Sequence, residues 1–196
     1  MTKPKRVVIA FATVAVLTSV FSLRAYSIAG PSMSPSFWLD DLVIANHSAY
    51  LINGPERGDV IVYFDSVKNS VAVKRVIGIP GDRVELVENL VLINGSEQKQ
   101  ISLPGEDFRH VPEDNGIGQV IVEEDIFGRK HLVTFTPLQN PKRNYQSEVL
   151  KKDEYFILGD HRDNSNDSRY IGPIHEEQIV ARVICKLRSN NWRFKR

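Results

Sequence analysis

The chain has 196 residues, of which 42% are hydrophobic, and it carries 25 basic and 24 acidic side chains for a formal net charge of +1. This balance excludes a strongly basic nucleic-acid-binding protein and an acidic disordered tail, and the hydrophobic fraction suits a folded domain. The single cysteine, Cys185, excludes an internal disulfide, and its apolar surroundings, IVARVICKL, predict a buried thiol.

The chain begins with a basic segment, residues 1–6, and an uncharged apolar run from Val7 to Leu23. As a helix this run is roughly 25 Å long, close to the bilayer core of roughly 30 Å, and Arg24 can snorkel to the headgroups. A cleaved signal peptide is the alternative, but its apolar core is usually only about 7 to 15 residues. We therefore predict a single uncleaved transmembrane anchor over residues 7–24. Its N-terminus is cytoplasmic, because more positive charges precede the run than follow it.

Beyond Trp38 the sequence changes to short segments rich in β-branched residues, separated by turn sequences such as NGPERGD and IPGD. Asn94-Gly95 directly follows one such segment and predicts a hairpin, whereas only residues 176–179 suggest another helical turn. The fold class is therefore mainly β: an N-terminal transmembrane helix followed by an antiparallel β-domain of barrel-like folded sheets. The predicted strands are 42–45, 59–64, 71–77, 83–87, 90–93, 119–122, 131–136, 155–158 and 179–187.

Residues 96–150 differ in composition from the segments on either side of them. They are polar, rich in turn residues and weakly periodic, as in SEQKQ and VPEDNGIG. We interpret them as a small inserted or peripheral β/loop subdomain. The β-domain that carries the site then consists of residues 25–95 and 151–187, and residues 188–196 form a C-terminal tail.

The segment VAVKRVIGIPGD places Lys74 inside an apolar strand. Side chains alternate along a strand, so Lys74 shares a face with Ala72 and Val76. A buried ammonium is costly, and burial lowers its pKa toward the range of a general base. The alternative is a lysine at the sheet edge whose ammonium snorkels to water.

Two further segments contain residues that are candidates for catalysis or for ion pairs. In GPSMSPS, the prolines hold Ser32 in a rigid non-helical turn, suitable for a nucleophile or for a linker. GDHRDNSNDSRYIGP is dense in side chains that form turns and charge-assisted pairs, although a polar surface loop is the simpler reading. In this second segment Arg162, Asp163, Asp167 and Arg169 are candidates for interlocking ion pairs.

Together these segments resemble the bacterial type I signal peptidases. SMSP at 32–35 resembles their nucleophile motif, GDVIVYF at 58–64 a strand motif, and VKRVIGIPGD at 73–82 the general-base motif. GDHRDNSNDSR is similar to the most specific signature of the family, whereas the SMSP motif alone is weak. The motifs occur in the order typical of the family.

The resemblance implies a membrane-anchored serine endopeptidase that cleaves signal peptides from secretory preproteins after small residues at −1 and −3. Ser32 is the expected nucleophile, Lys74 the general base, and Ser165 the group that orients the lysine. The family needs neither metal nor cofactor, and no nucleic acid is an expected partner. The residues expected to support the site structurally are Arg75, Asp160, Asp163, Asp167 and Arg169.

One position departs from the pattern of many relatives. These have a serine two residues before the nucleophile, where its hydroxyl contributes to the oxyanion hole, but here that position is Gly30. The oxyanion would then rest on backbone N–H groups, chiefly that of Ser32. Loss of one side-chain donor typically costs about 10² to 10³ in rate.

The short segment between Arg24 and Ser32 indicates a site close to the membrane, as the resemblance does. The residues between Arg24 and Ser32 span at most about 29 Å when fully extended, so the nucleophile lies close to the membrane. Preprotein cleavage sites also follow directly after an apolar segment. We expect a single-pass protein of the plasma membrane, in contact with lipid, whose β-domain is extracytoplasmic.

Three alternatives remain. His161, within the signature segment, is an alternative base for Ser32. A self-cleaving repressor also uses serine and lysine, but the apolar run stands where such a protein has its DNA-binding module. Finally, Gly30 is compatible with an inactive anchored β-domain that only binds exported chains.

Overall fold

The computed structural model describes residues 22–103, 120–136 and 142–188. Residues 1–21, which include most of the predicted anchor, and residues 189–196 lie outside the described part. Within that part, no helix is long and apolar enough to cross a bilayer. Leu23 and Arg24, the last residues of the predicted anchor, belong to the first strand.

The described residues form fourteen strands, one short helix and two 3-10 turns. The helix, α1, is Ser168–Ile171, and the 3-10 turns are Pro31–Met33 and Glu176–Gln178. The strands are β1 Leu23–Ser27, β2 Leu42–Asn46, β3 Val60–Asp65, β4 Ser70–Gly78, β5 Arg83–Val87, β6 Leu90–Ile93, β7 Ser96–Glu97, β8 Lys99–Ser102, β9 Val120–Ile126, β10 Arg129–Phe135, β11 Tyr145–Val149, β12 Glu154–Leu158, β13 Ile174–His175 and β14 Ile179–Arg188.

The strands assemble into three antiparallel sheets. The largest has the order β1-β2-β14-β3-β4-β12-β13, and the others are β10-β9-β8 and β11-β5-β6-β7. Two-residue turns connect β5 to β6 and β6 to β7, with positive φ at Glu88, Asn89, Asn94 and Gly95. These angles fit the right-handed twist of hairpin strands, so the Asn-Gly hairpin is confirmed. The mainly β, antiparallel fold class is confirmed as well.

The segment 96–150 takes part in two of these sheets. Its strands β8, β9 and β10 form the three-stranded sheet, whereas β7 and β11 pair with β6 and β5. Leu150 and Ile126 also enter the largest apolar cluster, beside Phe156. Side chains from this segment therefore pack directly against strands from both neighbouring parts of the chain.

The prediction for Cys185 is wrong, because the thiol is exposed. Irregular register between β14 and β2 falls at Val183/Cys185 and again at Lys186/Arg188. Residues 184–187 are all exposed, so both faces of this end of β14 are open to solvent. Apolar composition alone therefore did not indicate burial at this end of the strand.

Candidate active site

The sequence folds Ser32 onto a rigid turn between β1 and β2. Pro31 opens a 3-10 turn in which Ser34 N–H donates to the Pro31 carbonyl at 2.9 Å. Pro at this position is pre-organised for a helical turn because its φ is fixed. Met33, next to the serine, is buried and anchors the turn in the protein.

Lys74 contacts this serine from the middle of β4. Its Nζ lies 2.6 Å from Ser32 Oγ and donates a second hydrogen bond to the Val73 carbonyl at 3.0 Å. Only 4% of Lys74 is exposed, so the edge-lysine alternative is wrong. Two residues that are far apart in sequence are thus joined by one short polar contact.

Burial lowers the pKa of Lys74 from 10.5 to about 8. The carboxylate of Asp167 opposes this shift, and the ammonium of Lys68 adds to it. At a pKa of 8 about one amine in ten is neutral at pH 7, compared with about one in 3,000 for an unperturbed lysine. The amine is therefore able to accept a proton from the serine that it contacts.

Gly159 makes the close approach of the signature loop to this pair possible. A Cβ added at Gly159 would overlap both the Ser165 hydroxyl and the Ser32 carbonyl oxygen. Ser165 is therefore held beside the turn that carries Ser32. Its Oγ is buried and, among the described residues, has no hydrogen-bond partner, so the expected bond to Lys74 is not formed in this structure.

The residues expected to support the site form buried ion pairs around Ser32 and Lys74. The guanidinium of Arg75 binds both oxygens of Asp160, at 2.8 and 2.7 Å, and donates to the Gly58 carbonyl at 2.9 Å. Asp167 caps α1, pairs with Arg169 at 2.8 Å and accepts from the Gly159 N–H at 3.0 Å. Such bidentate, charge-assisted contacts fix geometry because both partners are planar.

The pairing within the signature segment differs in part from the expectation. Asp167 pairs with Arg169, but Arg162 forms a bidentate pair with Glu124 of β9, and Asp163 pairs with Arg143 at 2.9 Å. Arg162 and Glu124 are almost fully buried. Although burial acts against ionisation, Arg162 holds the pKa of Glu124 well below its usual range.

These partners from 96–150 were not recognised in the sequence. A signal was present for Glu124, which shares a strand face with the apolar residues Val122 and Ile126. A carboxylate on such a face requires a buried cation. No local pattern identifies Arg162 as that cation.

The ring of His161 contacts the hydroxyls of Ser34 and Thr136, whereas the Ser32 hydroxyl is contacted by Lys74. Its ring nitrogens lie 3.2 Å from Ser34 Oγ and 2.9 Å from Thr136 Oγ1, and its backbone N–H donates to the Ser32 carbonyl at 3.1 Å. The ring is buried between the turn that carries Ser32 and the end of β10. His161 therefore supports the turn, whereas Lys74 is the basic side chain in contact with the Ser32 hydroxyl.

A cleft of about 440 Å³ opens beside Ser32 and Lys74. One wall is formed by residues 26–30 and the other by residues 70–74 of β4, with Asn164 and Asn166 from the signature loop. Lys68 also lines the cleft. Within residues 22–103, 120–136 and 142–188 no group of three His, Cys, Asp or Glu side chains is arranged to hold a metal ion.

Comparison with known proteins gives the same family as the motifs. The family described as signal peptidase, peptidase S26, matches residues 2–187. Signal peptidase IB of Staphylococcus aureus (strain Mu50) is 36% identical over 163 residues, covering 83% of this chain and 76% of the relative. Signal peptidase I of Pseudomonas aeruginosa is 32% identical over 189 residues, covering 84% of this chain and 64% of the relative.

A solved structure is also similar. The crystal structure of a signal peptidase I from Enterococcus faecalis is 25% identical, with a TM-score of 0.41, and the match covers 68% of this chain and 99% of that one. The family match spans nearly the whole chain, and the relatives exceed 30% identity. The chain therefore belongs to the signal peptidase family, peptidase S26, and is a serine endopeptidase.

Proposed function

We propose that this peptidase cleaves signal peptides from exported preproteins with Ser32 as nucleophile and Lys74 as general base. The observation that carries the proposal is the 2.6 Å contact between Lys74 Nζ and Ser32 Oγ at a buried position beside an open cleft. A lysine whose pKa is lowered to about 8 supplies a neutral amine without a histidine.

The reaction begins when neutral Lys74 takes the proton of Ser32 as Oγ attacks the scissile carbonyl. The ammonium then donates that proton to the leaving amine, which leaves an ester between Ser32 and the signal peptide. Neutral again, Lys74 activates a water molecule that hydrolyses the ester and restores the serine. Ser165, buried beside the turn, is proposed to orient the amine once substrate excludes water from the cleft.

The oxyanion is proposed to bind the backbone N–H of Ser32. Gly30 supplies no hydroxyl, but an added Cβ there has nothing within 4 Å. Its backbone is extended, with φ of −160°, so any residue fits that conformation. The site therefore has room for the serine that many relatives carry at this position.

The substrate is proposed to bind as an extended strand in the cleft. β12 pairs with β4 only from Arg75 to Gly78, and β3 pairs with the other edge, so among the described residues nothing pairs with the cleft edge of residues 71–73. An exposed strand edge accepts a peptide through main-chain hydrogen bonds. Ala29, Ala72 and Val73 line the same cleft and suit small substrate side chains at −1 and −3.

The membrane anchor and its orientation belong to the same proposal. The apolar run that begins at Val7 is proposed to cross the plasma membrane once, with the N-terminus cytoplasmic and the β-domain outside. Lipid and secretory preproteins are then the partners. This arrangement brings the site to the surface where a translocated preprotein presents its cleavage site.

The test is cleavage of a purified preprotein by the detergent-solubilised full chain, with the cut mapped by mass spectrometry. Ser32→Ala and Lys74→Ala should abolish cleavage, whereas Lys130→Ala, at an exposed lysine paired with Glu123, should retain it. His161→Ala should keep measurable activity. Full activity of Lys74→Ala would restore His161 as the candidate base, and an inert wild type would favour a binding role.

A further inference from the structure

The cleft beside Ser32 is lined by two cations. Among the described residues that line it, the charged side chains are Lys74 and Lys68, which lies beyond Ser70 in the turn between β3 and β4. The remaining lining residues are uncharged, including the two asparagines of the signature loop. The part of the cleft that the structure describes therefore has no carboxylate to balance these lysines.

The turn that carries Lys68 is braced by Asp65, the last residue of β3. Asp65 Oδ1 accepts hydrogen bonds from the N–H groups of Val67 and Lys68, both at 3.1 Å, and the Asp65 side chain is only 5% exposed. The ammonium of Lys68, by contrast, lies 3.9 Å from Asp65 Oδ2, beyond hydrogen-bond distance, and its side chain is 58% exposed. The backbone of Lys68 is thus fixed, while its ammonium is accessible to an anion in the cleft.

The proposed mode of substrate binding brings one part of the preprotein next to this ammonium. The scissile bond then lies at Ser32 and Lys74, and the signal-peptide side of the substrate extends along residues 73 to 71 of β4. Extended strands advance by about 3.3 Å per residue, so the chain from Lys74 to Ser70 spans about 13 Å. An extended substrate covers the same length from residue −1 to residue −5. Lys68, just beyond Ser70, is therefore next to substrate residue −5.

We propose that Lys68 is a specificity-determining residue that binds an acidic side chain of the preprotein about five residues before the scissile bond. The inference rests on the proposed function and deepens it, because small side chains at −1 and −3 do not specify the residues before them. A carboxylate at −5 meets a cation, whereas a lysine there meets like charge. Burial is the main cause of the lowered pKa of Lys74, and the charge of Lys68 adds to it, which supports an ammonium that acts within the cleft.

Cleavage of two matched peptides tests the proposal. They differ only at −5, with Asp in one and Asn in the other, and the full chain in uncharged detergent cleaves both. The ratio of their kcat/KM values is measured, because any effect of Lys68 on the pKa of Lys74 is common to the two peptides. The wild type should prefer the Asp peptide about threefold to fivefold, as expected for a partly exposed ion pair. The preference should arise mainly from KM and should weaken in about 0.5 M salt.

Reversal of the charge at residue 68 separates recognition from a structural role. Lys68→Glu should invert the preference, so that the Asn peptide is cleaved faster, and Lys68→Arg should keep it. Lys130→Glu is the matched control, because Lys130 has a similar exposure of 57%, also pairs with a carboxylate and does not line the cleft. It should leave the ratio unchanged. If Lys68→Glu fails to fold, Lys68→Gln replaces it and should abolish the preference.

The possible outcomes distinguish this inference from the proposed function. Equal cleavage of the two peptides by the wild type would overturn the role of Lys68 and leave the proposed function intact. Cleavage of neither peptide would overturn the proposed function and this inference with it. A preference for Asp that persists in the Lys68 variants would show that another group binds the carboxylate. A defect of these variants that is equal for both peptides and confined to phosphatidylglycerol micelles would assign Lys68 to lipid, which also overturns the proposal.

Discussion

The pH dependence of cleavage should follow the ionisation of Lys74. With its pKa lowered to about 8 by burial, the neutral fraction is about 1% at pH 6, about 9% at pH 7 and about 90% at pH 9. Because only the neutral amine accepts the serine proton, kcat/KM should rise tenfold per pH unit below 8 and level off above it.

The assay is cleavage of a short peptide by the full chain in detergent, from pH 5.5 to 9.5 at constant ionic strength. The Lys68→Gln variant provides a directional control, since the ammonium of Lys68 contributes to lowering the pKa of Lys74. Its midpoint should move to higher pH. A midpoint near 6.5 that survives Lys74→Ala would refute the reasoning, and so would a midpoint near 10.5 in the wild type.

Three further substitutions test the energetics and geometry of the site. Lys74→Met should stabilise the chain at pH 7 by up to about 3 kcal/mol, since the folded-state pKa lies below the unfolded value of 10.5. The free energy of unfolding of the wild type rises with pH between these two pKa values. The advantage of Lys74→Met, measured by urea unfolding, should therefore fade from pH 8 to 10.5. An advantage that stays constant with pH would show that it does not come from burial of the ammonium. Gly159→Ala should reduce kcat at least about 100-fold, because the added Cβ overlaps Ser165 and Ser32. Gly30→Ala is the control, because the space around Gly30 is open. Equal losses of kcat in the two variants would refute the role of the close contact at Gly159. Gly30→Ser should raise kcat about tenfold or more by adding an oxyanion donor, measured at saturating peptide, and an unchanged kcat would place that hydroxyl out of reach.

Much of the fold was predictable because its strands are short, rich in β-branched residues and bounded by turn residues. The burial of Lys74 and its lowered pKa were also predictable, since a lysine inside the apolar run of β4 has few physical explanations. β1 was missed because Leu23 to Ser27 directly continues an apolar run that dominates the local pattern. Pairing between distant charges, such as Glu124 with Arg162, depends on which strands become neighbours, and no local pattern contains that information.

The surroundings of Cys185 and Ser165 likewise depend on distant segments and could not be predicted from local sequence. Cys185 lies where both faces of β14 are exposed, at residues 184–187, and whether a strand face is covered depends on segments distant in sequence. The position of Ser165 follows from the absence of a side chain at Gly159. In both cases the deciding contact lies in another segment of the chain.

Strand β1 has a consequence for which preproteins are cut. It is paired with β2 at every residue from Leu23 to Ser27, and at about 3.3 Å per residue it spans about 16 Å. Ile28, the next residue, is fastened by hydrogen bonds to Asp40 and Asp41. The separation between the end of the apolar run and Ser32 is therefore a rigid spacer. Under the proposed function, a spacer of fixed length would select a preprotein by the number of residues between its own apolar segment and the scissile bond, in addition to the proposed preference for small side chains next to the cut.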